Sequence, residues 1–169
     1  MFGFNEKPKV PLKHRTSPYM NLAFQKQPKA LGNWDHKPID SILKQLTNGD
    51  IYTRIGDHAS DKGTDTAYIQ IDLGQEYEVY EIKIHSGYGG GYKSAASNTG
   101  TIKLKTGLTD TEGDATERDS QTTTSTSNIP ITLHYEGEGI RVRYVFISMK
   151  GDGTRTQYIK PSEVEVFGC

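Results

Sequence analysis

The sequence predicts an all-β sandwich formed by a single domain. Short segments in which apolar and polar residues alternate are separated by turn residues along most of the chain, and such a pattern with few helical stretches is typical of sandwiches. The composition agrees, since only 33% of the 169 residues are hydrophobic while 18 are glycine and 10 are tyrosine. A chain of this length buries roughly 70% of its unfolded surface and has no room for a second domain of ordinary size.

The alternating segments give the predicted strands in order. They cover residues 21–30, 68–74, 77–85, 101–105, 129–135, 140–149 and 163–167. Between the second and the third, Gly74-Gln75-Glu76 suits a tight turn. In residues 77–85 the alternation puts Val79 on the polar face, opposite Ile82 and Ile84. Residues 122–126 fit either an edge strand or a disordered segment, and the glycine-rich residues 86–92 predict a long mobile loop.

One short helical turn is predicted after the first strand. Asp40 and Ser41 are suited to cap it, and its apolar positions are Ile42, Leu43 and Leu46. The turn that follows contains Gly49, a natural site for a positive φ.

Residues 1–18 predict an extended basic arm in front of a domain that covers residues 19–169. The arm contains three prolines, four basic residues and a single acidic residue, Glu6. Proline removes backbone donors and lysine favours solvent. Such an arm can dock on its own domain, on another copy of the chain or on a larger assembly.

Charge and hydropathy exclude several functions. A net charge of −1 gives no global argument for nucleic acid or an anionic membrane, and no stretch approaches the roughly 18 apolar residues of a spanning helix. The N-terminal residues lack the features of a signal peptide. We therefore expect a protein at an extracellular or particle surface that gets there without a signal peptide, with a cytoplasmic location as the alternative.

Cys169 has no internal partner, so we expect it to be buried, with pairing between chains as the alternative.

Five segments, in order, resemble the discoidin family, also called coagulation-factor-type C domains, within the galactose-binding group. They are Asn21-Leu22-Ala23, Leu46-Thr47-Asn48-Gly49-Asp50, Ile69-Gln70-Ile71-Asp72-Leu73-Gly74, Arg143-Tyr144-Val145 and Glu163-Val164-Glu165-Val166-Phe167-Gly168-Cys169. The resemblance runs from about residue 21 to residue 169. It implies a jelly-roll β-sandwich that binds its ligand with loop tips and does no chemistry.

The resemblance also implies a cation site. Calcium takes six to eight oxygen ligands at 2.3–2.6 Å, and many sugar-binding relatives bind calcium at the loop that corresponds to Asn48-Gly49-Asp50. Here the implied ligands are Asn48, Asp50 and Glu163, with the carbonyl of Ser162 and either Thr53 or Ser60. The alternative is an ordinary Asn-Gly turn without a metal.

The resemblance places a glycan ligand at the loops of one end of the sandwich. A sugar site needs an aromatic platform and a few polar groups. The candidate ligand residues are Trp34, Arg54, Asp57, His58, Tyr88, Tyr92, Arg155 and Tyr158. For each of them alone, a solvated loop residue or a packing contact is the alternative. The paired arginines of the fucose-binding members are absent from residues 86–97.

Catalysis has no support in the sequence. The five histidines are scattered without zinc-site spacing, and no GxSxG, P-loop or dinucleotide motif occurs. We predict a non-catalytic lectin-like module that binds a cell-surface glycan or polysaccharide, as part of a multivalent or particle-borne assembly such as a phage attachment structure. The alternative is an intracellular or structural protein-interaction domain of the same fold. Insertion into a membrane is not expected, because the candidate loops lack exposed Leu, Phe or Trp pairs.

Overall fold

The computed structural model describes residues 19–51, 60–61, 67–85, 100–123, 132–151 and 161–169. The predicted arm at residues 1–18 and the glycine-rich loop at 86–92 lie outside them. The strands are β1 (Met20–Asn21), β2 (Lys29–Gly32), β3 (Trp34–His36), β4 (Ser60–Asp61), β5 (Ala67–His85), β6 (Gly100–Gly107), β7 (Thr116–Thr123), β8 (Thr132–Gly151) and β9 (Glu163–Gly168). One α-helix, α1 (Asp40–Leu43), continues into a 3-10 turn at Lys44–Thr47, and a second 3-10 turn covers Glu112–Asp114.

Seven of these strands form one antiparallel sheet. Its order is β1-β9-β5-β8-β6-β7, and β2 pairs with β5 at one side. The short strands β3 and β4 pair with each other separately. Every pairing in the described part of the chain is antiparallel, as expected for a sandwich without crossover helices.

The two long strands β5 and β8 connect the two layers of the sandwich. Residues 67–70 of β5 pair with β2, whereas residues 79–85 pair with β9, and β8 runs along both halves. The register shifts between Asp72 and Tyr77, where Gly74 has φ 95°. The prediction of a tight turn here was wrong: the glycine bends one continuous strand. Residues 129–135 and 140–149 were likewise predicted as two strands, but β8 joins them.

The core lies between the two layers, and most of its residues come from β5, β6, β8 and β9. Its fully buried members include Ile69, Ile71, Leu73, Val79, Ile82, Leu104, Leu133, Val145, Val164 and Val166. Val79 belongs to this group although the alternation placed it on the polar face. A second register shift, between Val79 and Glu81, explains the difference, because a bulge returns the next residue to the other face.

Four local predictions also needed correction. The strand predicted at 21–30 is two short strands, β1 and β2, with turns between them. Asp40 is the first residue of α1, the N-cap is Ile39, and no side chain caps the helix. Residues 122–126 fitted either an edge strand or a disordered segment; residues 122 and 123 belong to β7, which begins earlier, at Thr116, and residues 124–126 lie outside the described residues. Cys169 is exposed rather than buried, because the backbone of this terminal residue pairs with Glu78 while its side chain is left in solvent.

None of the helices in the described ranges is both long and apolar enough to cross a membrane.

Candidate functional site

Ser162 is hydrogen-bonded to two residues, Ile51 and His85, that are distant from it in the sequence. It is fully buried, and its N–H donates to the carbonyl oxygen of His85 at 2.7 Å. Its Oγ lies 2.7 Å from the carbonyl oxygen of Ile51 and 3.1 Å from that of His85. Ile51 immediately precedes residues 52–59, His85 precedes residues 86–99, and Ser162 follows residues 152–160 closely. The described strands therefore bring the ends of these three segments to one point.

Glu163, the first residue of β9, places a carboxylate in the interior beside this point. Its side chain is fully buried, and Oε2 accepts a hydrogen bond from the N–H of Gly49 at 3.1 Å. Within the part of the chain that the structure describes, Oε1 has no hydrogen-bond partner. Burial raises the pKa of Glu163 to about 7, with smaller contributions from the negative charges of Glu165 and Asp50.

The turn at Asn48-Gly49-Asp50 faces this carboxylate. Asn48 Oδ1 accepts a hydrogen bond from the N–H of Asp50 at 2.8 Å, as in an Asx turn. Gly49 has φ 90°, as the sequence predicted, and this conformation is open to glycine at little cost. The preceding residue, Thr47, anchors the turn, since its carbonyl accepts from the N–H of Gln25 at 2.7 Å.

This arrangement could hold a hard cation. A buried carboxylate oxygen without a donor is costly, and a cation would supply the missing positive charge and restore the carboxylate to its ionised form. No group of three or more His, Cys, Asp or Glu side chains in the described residues is placed to hold a metal. A cation at Glu163 Oε1 would therefore depend on amide and carbonyl oxygens and on water for its other ligands.

The structure brings four of the implied metal ligands into one region: Asn48, Asp50, Ser162 and Glu163. Ser60 instead lies in β4, paired with β3, and Thr53 lies outside the described residues. Seven candidate ligand residues also lie outside them: Arg54, Asp57, His58, Tyr88, Tyr92, Arg155 and Tyr158. All seven belong to residues 52–59, 86–99 and 152–160, which adjoin Ile51, His85 and Ser162 in the sequence.

Trp34 is a core residue in this structure. Only 8% of it is exposed, and it packs within the main cluster of buried side chains. Its indole N–H donates to the carbonyl oxygen of Leu31 at 2.7 Å. Because a platform for a sugar ring must expose an aromatic face, we correct its assignment from ligand contact to packing.

The sequence did not reveal the groups that organise this site. They are backbone atoms, namely the carbonyls of Ile51 and His85 and the N–H of Gly49, and no residue type signals them. The nearest available signal was Ser162 itself, a small hydroxyl residue directly before the final strand.

No protein-family model matches the chain, and no curated protein matches it in sequence. Solved structures do match. The chitosan-binding module 1 of a chitosanase/glucanase from Paenibacillus sp. IK-5 superposes with a TM-score of 0.52 at 21% identity, over 88% of this chain and 99% of that chain. A CBM32 module produced by Clostridium perfringens, solved in complex with GlcNAc-α-1,4-galactose, superposes with a TM-score of 0.53 at 12% identity, over 90% of this chain and 96% of that chain. The likeness confirms the predicted fold class, a β-sandwich, which this chain shares with these two modules.

Proposed function

We propose that this protein is a non-catalytic carbohydrate-binding module that recognises a glycan with side chains of residues 52–59, 86–99 and 152–160, which adjoin Ile51, His85 and Ser162 in the sequence. The observation that carries the proposal is the convergence of Ile51, His85 and Ser162 through hydrogen bonds of 2.7 to 3.1 Å. The convergence ties together the chain segments that contain seven candidate ligand residues. A rigid scaffold that presents variable loops from one end is a common arrangement for binding sites.

The residue types of these segments fit a sugar. Tyr88 and Tyr92 offer flat rings for the apolar faces of pyranoses, and Arg54, Asp57 and Arg155 offer charged hydrogen-bonding groups for hydroxyls. The proposal is supported by a module of similar fold that was solved in complex with GlcNAc-α-1,4-galactose.

Calcium is the proposed cofactor, and its role is structural. Glu163, Asn48 and Asp50 would hold it together with nearby carbonyl oxygens. When bound, the ion supplies the positive charge that the buried carboxylate of Glu163 lacks. The Asn48-Gly49-Asp50 turn would then be fixed to β9, and the start of residues 52–59 would be fixed with it.

Binding through shallow loops is usually weak at one site, so we propose that the protein works multivalently. Residues 1–18 would connect the module to other copies or to a larger particle, at an extracellular or particle surface. A protein-interaction domain of the same fold is the alternative outcome of the tests below.

Replacing Tyr88 or Tyr92 by alanine is expected to weaken glycan binding about tenfold, because stacking on one aromatic ring contributes on the order of 1 kcal/mol. Titration calorimetry with a glycan identified on an array measures the affinity. Tyr19→Ala is the matched control, since Tyr19 is an exposed tyrosine that packs on Tyr80 beside β1 and lies outside the three loops. Unchanged affinity in both loop variants would reject this surface.

A further inference from the structure

A layer of aromatic side chains lies on the outer face of the sheet, away from the core. Val145 and Ile147 of β8 point into the core, so the alternation of the strand directs Phe146 to the opposite face. Phe146 is nevertheless fully buried. Tyr68 meets its ring edge-on at 5.9 Å between centroids, and Tyr144 stacks on it at 6.3 Å.

The segment Leu108–Ala115, which we call the strap, is bonded to residues on both sides of Phe146. The cross-strand partners of Phe146 are Gln70 on β5 and Lys105 on β6, and both are bonded to the strap. Gln70 Nε2 donates to the carbonyl oxygen of Asp110 at 3.0 Å. Lys105 Nζ donates to Glu112 Oε1 at 2.5 Å, and so does Ser148 Oγ at 2.5 Å. Attachment on both sides of Phe146 places the strap over this ring, which accounts for the burial of Phe146 on the outer face of the sheet.

These attachments are polar. Leu108 is the large apolar residue of the strap, and it is 43% exposed. Among the other residues of the strap, only Glu112 and Ala115 are partly buried, and the rest are exposed. The side chains of Glu112 and Lys105 are 13% and 19% exposed, so their contact is protected from water and stronger than a surface ion pair. A segment with few buried apolar contacts opens at lower free energy than the core.

We propose that the strap opens as a unit separate from the sandwich, with the carboxylate of Glu112 as its latch, and that opening exposes the aromatic layer of Tyr68, Phe146 and Tyr144. The core is unaffected by this opening, because its side chains lie on the other face of the same strands. The exposed layer is an apolar surface that the closed protein does not present.

The charges around the latch determine how acid acts on it. Lys105 and Lys103 face Glu112 from β6, Ser148 faces it from β8 and Tyr68 from β5, while Asp110 and Asp114 belong to the strap itself. Burial opposes the charge of Glu112, but the hydrogen bonds from Lys105 and Ser148 outweigh it and hold its pKa below the usual value. The contribution of the latch is therefore complete above the usual glutamate pKa and is lost as the pH falls through the lowered pKa.

Hydrogen exchange followed by mass spectrometry, combined with fluorescence, tests the proposal on the full chain. Trp34 is the single tryptophan and lies in the core, so its emission reports the sandwich alone, whereas an added apolar dye reports the exposed aromatic layer. In Glu112→Gln at neutral pH we expect exchange across residues 108–115 to rise ten- to a hundredfold and the dye to bind, with unchanged Trp34 emission. Ser148→Ala, which removes one of the two bonds, is expected to give a smaller rise.

The control is Glu117→Gln, which breaks a pair of the same chemistry on the same sheet. Glu117 Oε2 lies 2.6 Å from Lys103 Nζ, but the two side chains are 42% and 38% exposed. We expect exchange and dye binding as in the wild type. The proposal is overturned if exchange across residues 108–115 in Glu112→Gln equals that of Glu117→Gln, or if it rises only together with loss of the Trp34 signal, since the strap and sandwich would then open as one unit.

Discussion

Replacing Gly168 by alanine is expected to destabilise the protein by about 3 kcal/mol, the upper range for overpacking a closed site. A Cβ at this position would lie 2.4 Å from the carbonyl oxygen of Glu78 and 3.1 Å from the Cα of Val79. Both belong to the backbone of β5, which cannot move aside as a flexible side chain would. The hydrogen bonds between Glu78 and Cys169, at 2.9 and 3.0 Å, would be disturbed as well. The glycine of the final motif is thus required by a close approach of two strands.

Chemical denaturation measures this effect. Gly113→Ala is the control, because a Cβ at Gly113 would have no neighbour within 4 Å, and we expect its stability to stay within about 0.5 kcal/mol of the wild type. Equal free energies of unfolding for the two variants would show that β9 does not approach β5 as closely as described.

Calcium is expected to raise the thermal midpoint of the wild type by roughly 5 to 10 °C at a concentration of about 100 times its dissociation constant. Glu163→Gln is expected to lose this shift, because the uncharged amide cannot neutralise the ion. In chelator, by contrast, Glu163→Gln is expected to be at least as stable as the wild type above neutral pH. The substitution removes the free-energy cost of a buried charge under these conditions.

The pH dependence follows from the same residue. Burial raises the pKa of Glu163 to about 7 in the folded protein, so in chelator its contribution to stability is complete below the usual glutamate pKa and is lost as the pH rises towards 7. Saturating calcium is expected to remove this loss.

Glu165→Gln is the control for the calcium shift, since Glu165 lies on the same strand, 25% exposed and paired with His85 at 2.7 Å. Differential scanning fluorimetry against pH gives the curves. A calcium shift that survives in Glu163→Gln would rule out this carboxylate as a ligand.

Local patterns predicted the strands well and their connections less well. The alternation in 77–85 and 140–149 located β5 and β8, since each strand has one face in the core. The joining of two segments into one long strand at Gly74, and the bulge after Val79, depend on which distant strands lie alongside. A single sequence does not contain that information.

The candidate site shows the same division. The resemblance implied that Asn48 and Asp50 lie beside Glu163, although more than 100 residues separate them in the sequence. The structure brings these residues into one region, where the N–H of Gly49 donates to Glu163. The hydrogen bonds that join Ser162 to Ile51 and His85 could not be predicted from the sequence, because their acceptors are backbone carbonyl oxygens, which every residue has. Trp34 and Cys169 were misjudged because residue type alone does not decide whether a side chain points into the core or into solvent.

The most direct test of the central claim is glycan binding by the full chain, first on an array and then by calorimetry with the best glycan, each in calcium and in chelator. The account predicts saturable binding to at least one class of glycan, about tenfold weaker in Tyr88→Ala and unchanged in Tyr19→Ala. Absence of binding to every glycan class, together with stoichiometric capture of a protein partner, would contradict it and assign the loops at Ser162 to a protein interface.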